Sequence, residues 1–324
     1  MRKHTILCML GSLIVALSLA CEKKPAPVPS TVEALLKRLP REANVLAFLD
    51  VADIRETFLY KRFEERHKEL PRDLEAFIEE TGFDPRRDID RVVLSAVGDM
   101  EEQEPKITCA LVQGKFDRER IERALREREA EMETYRGYAI YSSPESQGLY
   151  MTFLDETTAA LGNEEGVRKI IALHEDGGES AAQNTEMRTL VEGLEYKDQM
   201  WGIVRIDDAA WKLGERIGKL KGEFDVGKLV AAVRTLVFSA EIADRIGLSF
   251  QGVCTTEEEA ELLAKAVRGG VAFLKIGAEE DGTLIELLEA TRVTQRGNVV
   301  SVQGSISKAL VEEQLDSKMG GREL

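Results

Sequence analysis

Two hydrophobic patterns alternate along the chain. Short apolar runs rich in β-branched residues, bounded by turn formers, predict strands at 43–51 (ANVLAFLDV), 90–97 (DRVVLSAV) and 106–116 (KITCALVQGKF). Stretches of helical period lie between them. Ser30-Thr31-Val32-Glu33 has the form of a capping box and opens a short helix ending near Pro40. Asp53 is placed to cap a charged amphipathic helix that is interrupted at Pro71 and ends before Gly82. Asp117 starts a helix through RERIERALREREAEM. Short strands follow at 138–142, 149–154 and 157–161, and Asn163 caps a helix through His174.

After a loop at 175–180 the same order recurs. A strand at 200–206 is followed by Asp207 or Asp208 as a cap and a helix over 209–221. Strands at 235–241 and 245–253 come next, then a second capping box, Thr256-Glu257-Glu258-Glu259, opening a long helix toward Lys275. The runs 284–294 and 299–304 predict a hairpin around Arg296-Gly297-Asn298, and Ser307 begins a last helix. Local matches support a repeat. RVVLSA (91–96) aligns with TLVFSA (235–240), Gln113-Gly114 with Gln251-Gly252, and ALGN (160–163) with VQGS (302–305), at offsets of 144, 138 and 142 residues. The expected fold is α+β: two similar halves made by tandem duplication, each a mostly antiparallel sheet with helices packed on one face.

The N-terminus changes the picture of where this body sits. Met1-Arg2-Lys3-His4 is basic and 6–20 is apolar, the length of a secretory signal core and short for a membrane span. The junction resembles the lipobox of bacterial lipoproteins, with Ala20 before a cysteine that would be acylated, Cys21. Ser18 stands where leucine is usual and Leu19 where a small residue is common, and Ser18-Leu19-Ala20 also fits plain secretory cleavage after Ala20. Glu22 follows the cysteine, rather than the aspartate associated with inner-membrane retention, so the resemblance implies the periplasmic side of an outer membrane. Pro25, Pro27 and Pro29 then alternate, which favours an extended tether of roughly 28 Å. The resulting organisation is a signal peptide at 1–20, the anchor cysteine and tether at 21–30, a first half at 31–176, a second half at 184–316 and a tail at 317–324. The partner expected from this end is a membrane, reached through lipid on Cys21.

Charge then excludes one class of partner. The chain of 324 residues carries 59 acidic and 44 basic residues, a formal charge of −15. Loss of Arg2 and Lys3 with the leader takes this to −17. Such a polyanion repels nucleic acid. Of four cysteines only Cys109 and Cys254 lie in the body, at unmatched positions of the repeat, so the reading favours two free, mostly buried thiols over a bridge.

A wider resemblance rests on TGFDPRRDIDRV (81–92), set between ANVLAFLDV and VQGKFDRERIERAL, together with YRGYAIY (135–141) and LGNEEGVRKII (161–171). These segments resemble uncharacterised secreted or lipid-anchored bacterial proteins of repeated α+β build, over residues 40–175 above all. The resemblance implies a fold class and brings no activity or catalytic residues with it.

The sequence marks no catalytic, cofactor-binding or metal-ligating residue. Beyond the leader the only histidines are His67, on a charged helix face, and His174, at a helix end where a cation suits the dipole. No G-x-S-x-G elbow occurs. Cys109 alternates with apolar neighbours as core does, while Cys254 precedes a helix cap and is expected to be more exposed. Asp84, Asp88 and Asp90 lack the glycine and terminal glutamate of a calcium loop and surround Arg86 and Arg87, so they read as a turn whose acids cap and pair. Gly269-Gly270 marks a kink or a close approach in a helix. Trp201 and Trp211 read as packing residues. One surface offers itself for binding: Tyr135, Arg136, Tyr138, Tyr141 and Tyr150 cluster around the first-half hairpin, although the alternation does not put Tyr138 and Tyr141 on one strand face. Together these readings favour an envelope lipoprotein that binds or supports a protein or envelope partner. The alternatives are a carboxylate-dependent periplasmic or extracellular hydrolase and an envelope assembly or stress factor.

Overall fold

The computed structural model describes residues 28–66, 70–98, 106–142, 148–194, 198–206, 232–277 and 282–320. The signal peptide, Cys21, most of the tether, His67, Trp211 and the helix read at 209–221 lie outside these residues.

The apolar runs form strands β1 (Val45–Asp50), β2 (Ile89–Val97), β3 (Ile107–Gly114), β4 (Glu131–Tyr135), β5 (Tyr138–Ser142), β6 (Tyr150–Asp155), β7 (Thr158–Gly162), β8 (Met200–Arg205), β9 (Val233–Ile242), β10 (Arg245–Cys254), β11 (Arg292–Arg296) and β12 (Val299–Ser307). They make one sheet, in the order β11-β12-β10-β9-β8-β1-β2-β3-β7-β6-β5-β4. Every described ladder is antiparallel. The expectation of a separate sheet in each half is therefore corrected. β1 pairs directly with β8, with Ala47 opposite Gly202 at the middle of that ladder, and the two arms are continuous. Beside the seam, Gly202 leaves room for the ring of its β9 partner Phe238, which would lie 2.2 Å from a Cβ at that position.

Helices cover both faces, which corrects the one-face expectation. Alternation along β3 illustrates the split: Leu111 faces the main core, and its neighbour Val112 faces the other side. On the first face α1 (Ser30–Leu36), α7 (Glu164–Asp176), a one-turn helix (Ala181–Gln183) and α8 (Thr185–Glu192) bury Val32, Leu35, Ile170 and Met187 against Leu46, Phe48, Val93, Trp201, Ile203 and Val237. α2 (Val51–Glu56) and α3 (Phe58–Arg66) follow β1, α4 (Arg72–Thr81) and α5 (Pro85–Asp88) lead into β2, and α4 and α6 (Arg118–Glu127) cover the opposite side of the first arm. In the second arm α9 (Glu257–Gly277) packs on β10, β11 and β12 through Ala260 and Ala264. It is followed by α10 (Gly282–Ala290) and α11 (Lys308–Gly320).

Several local expectations change. Asp50, not Asp53, caps α2, accepting from the Asp53 N–H at 3.1 Å. At α1 the N-cap is Pro29, and no side-chain cap bond forms. The second capping box does form: Glu259 N–H donates to Thr256 Oγ1 at 3.2 Å, and Thr256 N–H to Glu259 Oε2 at 3.0 Å. Helix α6 stops at Glu127, because Glu129 takes a positive φ of 57° and the chain turns into β4. Residues 284–290, read as the start of a strand, are helical within Gly282–Ala290, and only 292–296 pairs with β12. The local sequence matches do not share one register. Arg91 lies opposite Gln113, but Gln251 lies opposite Val237 rather than Thr235, a two-residue slip that keeps each side chain on its face.

Candidate functional site

The tyrosine cluster is organised by the β4–β5 hairpin. Its turn residues Arg136 and Gly137 both have positive φ, 52° and 85°, as a type I′ turn requires. Tyr135 and Tyr138 face each other across the hairpin end and pack on the main core. The tip is pinned to the end of α7. Arg136 pairs with Asp176, and Tyr138 Oη donates to Glu175 Oε1 at 2.5 Å. His174 meets the Tyr138 ring edge-on at 6.0 Å between centroids. The Arg168 guanidinium lies 4.8 Å over the Tyr135 ring and also holds Glu133 and Glu164. The bond to Glu175, with burial adding to it, pushes the Tyr138 phenol up to about 12. Tyr150 packs on the same core, whereas Tyr141 is buried on the opposite face beside Glu122 of α6. The cluster is thus two groups, and the polar atoms of Arg136 and Tyr138 are engaged within the fold.

The other sequence candidates fall into structural roles. Asp84 caps α5 through the Arg86 N–H at 3.0 Å and binds the Arg86 guanidinium at 2.7 Å; that side-chain bond holds its carboxyl below the usual range. Asp88 accepts from the Asp84 N–H at 2.7 Å, and Asp90 pairs with Arg55 at 3.0 Å. Cys109 and Cys254 are free and buried. Burial pushes the Cys109 thiol up to about 12, against a smaller downward pull from the Ser95 hydroxyl, so no thiolate nucleophile is present near neutral pH. Cys254 is 2% exposed, correcting the expectation that it is more accessible. Trp201 packs as expected, also 1% exposed. Nothing lies within 4 Å of a Cβ built on Gly269 or Gly270, so close packing does not explain them. Among the described residues no group of three or more His, Cys, Asp or Glu side chains is placed to hold a metal ion.

Several concavities among the described residues lie apart from the tyrosines. The first is an apolar cavity of about 230 Å³ under α4 and α6. Its floor is sheet: Ile89, Val112, Met151, Ala159 and Leu161. Its walls are Phe77 of α4 and Ile121, Ala124 and Leu125 of α6. Rings continue the wall, with Phe83 stacked on Phe116 at 5.2 Å and Phe116 edge-on to Phe153 at 5.5 Å. Phe83 and Phe116 each directly precede an N-cap aspartate, Asp84 and Asp117. Phe116 and Ile121, which both line the cavity, occupy the two positions of a hydrophobic staple. That Phe-Asp pairing before a helix is the sequence signal that marks this site.

The second concavity is a polar groove of about 220 Å³ between the end of α8 and the first face of β9, β10 and β12. Ser239, Ser249, Gln251 and Gln303 line it, with Asp198 and Glu241 contributing carboxylates. Beyond both, the last turns of α9 project apolar side chains into solvent: Phe273 and Ile276 are each 75% exposed and Leu274 50%. No protein-family model matches the chain, and no curated protein and no solved structure matches it either.

Proposed function

We propose that the chain is an envelope lipoprotein, held by lipid on Cys21, that binds a protein partner rather than transforming a substrate. The observation that carries this reading is the apolar end of α9. Large apolar side chains three-quarters exposed at one helix end are costly in a free protein and mark contact surfaces. The continuous sheet supports the same reading, since it gives that surface a rigid mount. The anchor rests on the sequence of the first 30 residues. Cross-linking in intact envelopes tests the partner: Phe273→Ser with Ile276→Ser should abolish a cross-link that the parent chain forms. An unchanged cross-link would reject the surface. Cys21→Ala should release the chain from membranes, and continued retention would reject the anchor.

The hydrolase reading rests on Asp198 and Glu241 sharing the polar groove. It requires a turnover that Glu241→Gln removes.

Tandem duplication is proposed on the strand order. Outward from the seam the arms run β1-β2-β3-β7-β6 and β8-β9-β10-β12-β11, so each arm's first three strands are followed by a reversed hairpin. The helix between third and fourth strands, α6 or α9, lies on the same side of the sheet in both. An experimental structure whose arms superpose strand for strand is the expected outcome. Arms that superpose over the seam strands alone would end the proposal.

A further inference from the structure

We propose that the cavity under α4 and α6 is a binding site for a small uncharged hydrophobe, an alkyl chain or a compact aromatic molecule. The chemistry of the lining selects that class. Among its side chains only those of Thr81 and Arg128 are polar. Both are already engaged. Thr81 Oγ1 donates to the Phe77 carbonyl at 2.6 Å and accepts from the Phe83 N–H at 3.2 Å. The Arg128 guanidinium at the rim is matched by Glu80 at 2.6 Å. A charged or strongly polar ligand would lose its hydration here and find no partner, a penalty that excludes it. An uncharged apolar ligand has no polar hydration to lose on entering and gains the dispersion contacts of the Phe77, Phe83, Phe116 and Phe153 rings.

The size agrees. A dry apolar cavity of about 150 Å³ already admits benzene. The volume of about 230 Å³ here takes a larger molecule of the same kind. The walls are also held in place along one rim. Arg120 of α6 donates to the carbonyls of Glu79 and Glu80 at the end of α4, and the Arg128–Glu80 pair adds a second tie between the helices. These ties fix α4 relative to α6 and oppose the collapse that would otherwise remove the void. Gly82 belongs to this arrangement: it ends α4 at a φ of 70°, and a Cβ there would meet the Arg120 guanidinium at 2.7 Å. None of its lining residues belongs to α9, so the site stands whether or not the anchor and partner readings hold.

The test uses the full chain purified without detergent and N-phenylnaphthylamine, an uncharged probe that fluoresces in apolar surroundings. Saturable single-site binding, displaced by decanol, is expected. Ala124→Met and Ala159→Val each place side-chain volume in the cavity and should weaken binding by about tenfold or more. Circular dichroism and thermal melting identify whichever variant remains folded, and either one suffices. Phe273→Ser should leave binding unchanged. Absence of saturable binding, full binding in a folded cavity variant, or loss of binding in Phe273→Ser would each overturn the site. Displacement by decanoate as effective as by decanol would overturn the uncharged class.

Discussion

The rings of Phe48 and Trp201 stack across the β1–β8 seam, with centroids 5.3 Å apart and planes 14° from parallel. They are direct cross-strand partners, and Trp201 is 1% exposed. This pair joins the arms at the only strand ladder they share among the described residues. Trp201→Ala should cost about 3–5 kcal/mol, the usual penalty for emptying a large aromatic site. Because the seam belongs to both arms, urea unfolding followed by circular dichroism should remain one transition at a lower midpoint. Two transitions would mean that the arms unfold separately. Trp201→Phe should cost much less. It keeps a ring against Phe48 and removes an indole N–H that is buried without an acceptor among the described residues.

Asn163 and Gly166 fasten the start of α7 to β3. The Asn163 Oδ1 accepts from the N–H groups of Gly166 and Thr108, and its Nδ2 donates to the Lys106 carbonyl. A Cβ on Gly166 would lie 2.4 Å from the Thr108 carbonyl oxygen, and one on Gly162 would lie 2.1 Å from it. The obstacle is backbone already held in a ladder, so it cannot swing aside. Gly166→Ala should therefore destabilise by more than Asn163→Ala, for which loss of the cap predicts about 1–2 kcal/mol. Denaturant midpoints of the two variants rank them, and the opposite order would show that Thr108 moves freely.

The same residues show what the sequence makes legible. Asn163 reads as a cap because a short polar side chain precedes an amphipathic run, a purely local signal. The strands β2, β5 and β10 are legible for the same reason, and alternation alone separates Tyr138 from Tyr141. Where local signals conflict, the reading fails. Glu131, Met132 and Glu133 continue a charged helical pattern, and only pairing with β5 makes them an edge strand. Leu284, Ile285, Leu287 and Leu288 form a short apolar run that periodicity cannot assign. The seam is illegible because β1 and β8 meet through long-range pairing. The apolar cavity is assembled from α4, α6 and four strands, so only Phe83 and Phe116, placed before their caps, announce any of it.

Asp84 links stability to acid. Its folded pKa lies below the ordinary 3.8, chiefly through the Arg86 side-chain bond, with burial opposing and the Arg86 N–H reinforcing. A group whose pKa is depressed on folding contributes fully above its unfolded value, and that contribution disappears as pH falls through the folded value. The Asp84 contribution should therefore be constant at neutral pH and lost below about pH 4. Asp84→Asn keeps a competent N-cap but removes the charge, so it should flatten part of the acid limb of the stability–pH curve. Asp84→Ala also removes the cap and should cost about 1 kcal/mol more at neutral pH. Equal stabilities of the Asn and Ala variants would show that the cap bond contributes nothing.

Gly269 and Gly270 sit inside α9, where glycine costs roughly 0.5–1 kcal/mol each relative to alanine. A Cβ at either position meets nothing within 4 Å, so no folded-state clash opposes substitution. Gly269→Ala with Gly270→Ala should accordingly raise the melting temperature. A fall would mean that the helix needs the backbone freedom of these residues. The glycines lie one turn before Phe273, on the stretch assigned to partner contact. If a partner backbone packs closely there, two methyl groups would hold it away, and the double variant should be more stable alone yet lose its envelope cross-link. A variant that gains stability and keeps the cross-link would limit the contact to Phe273, Leu274 and Ile276 and leave the two glycines outside it.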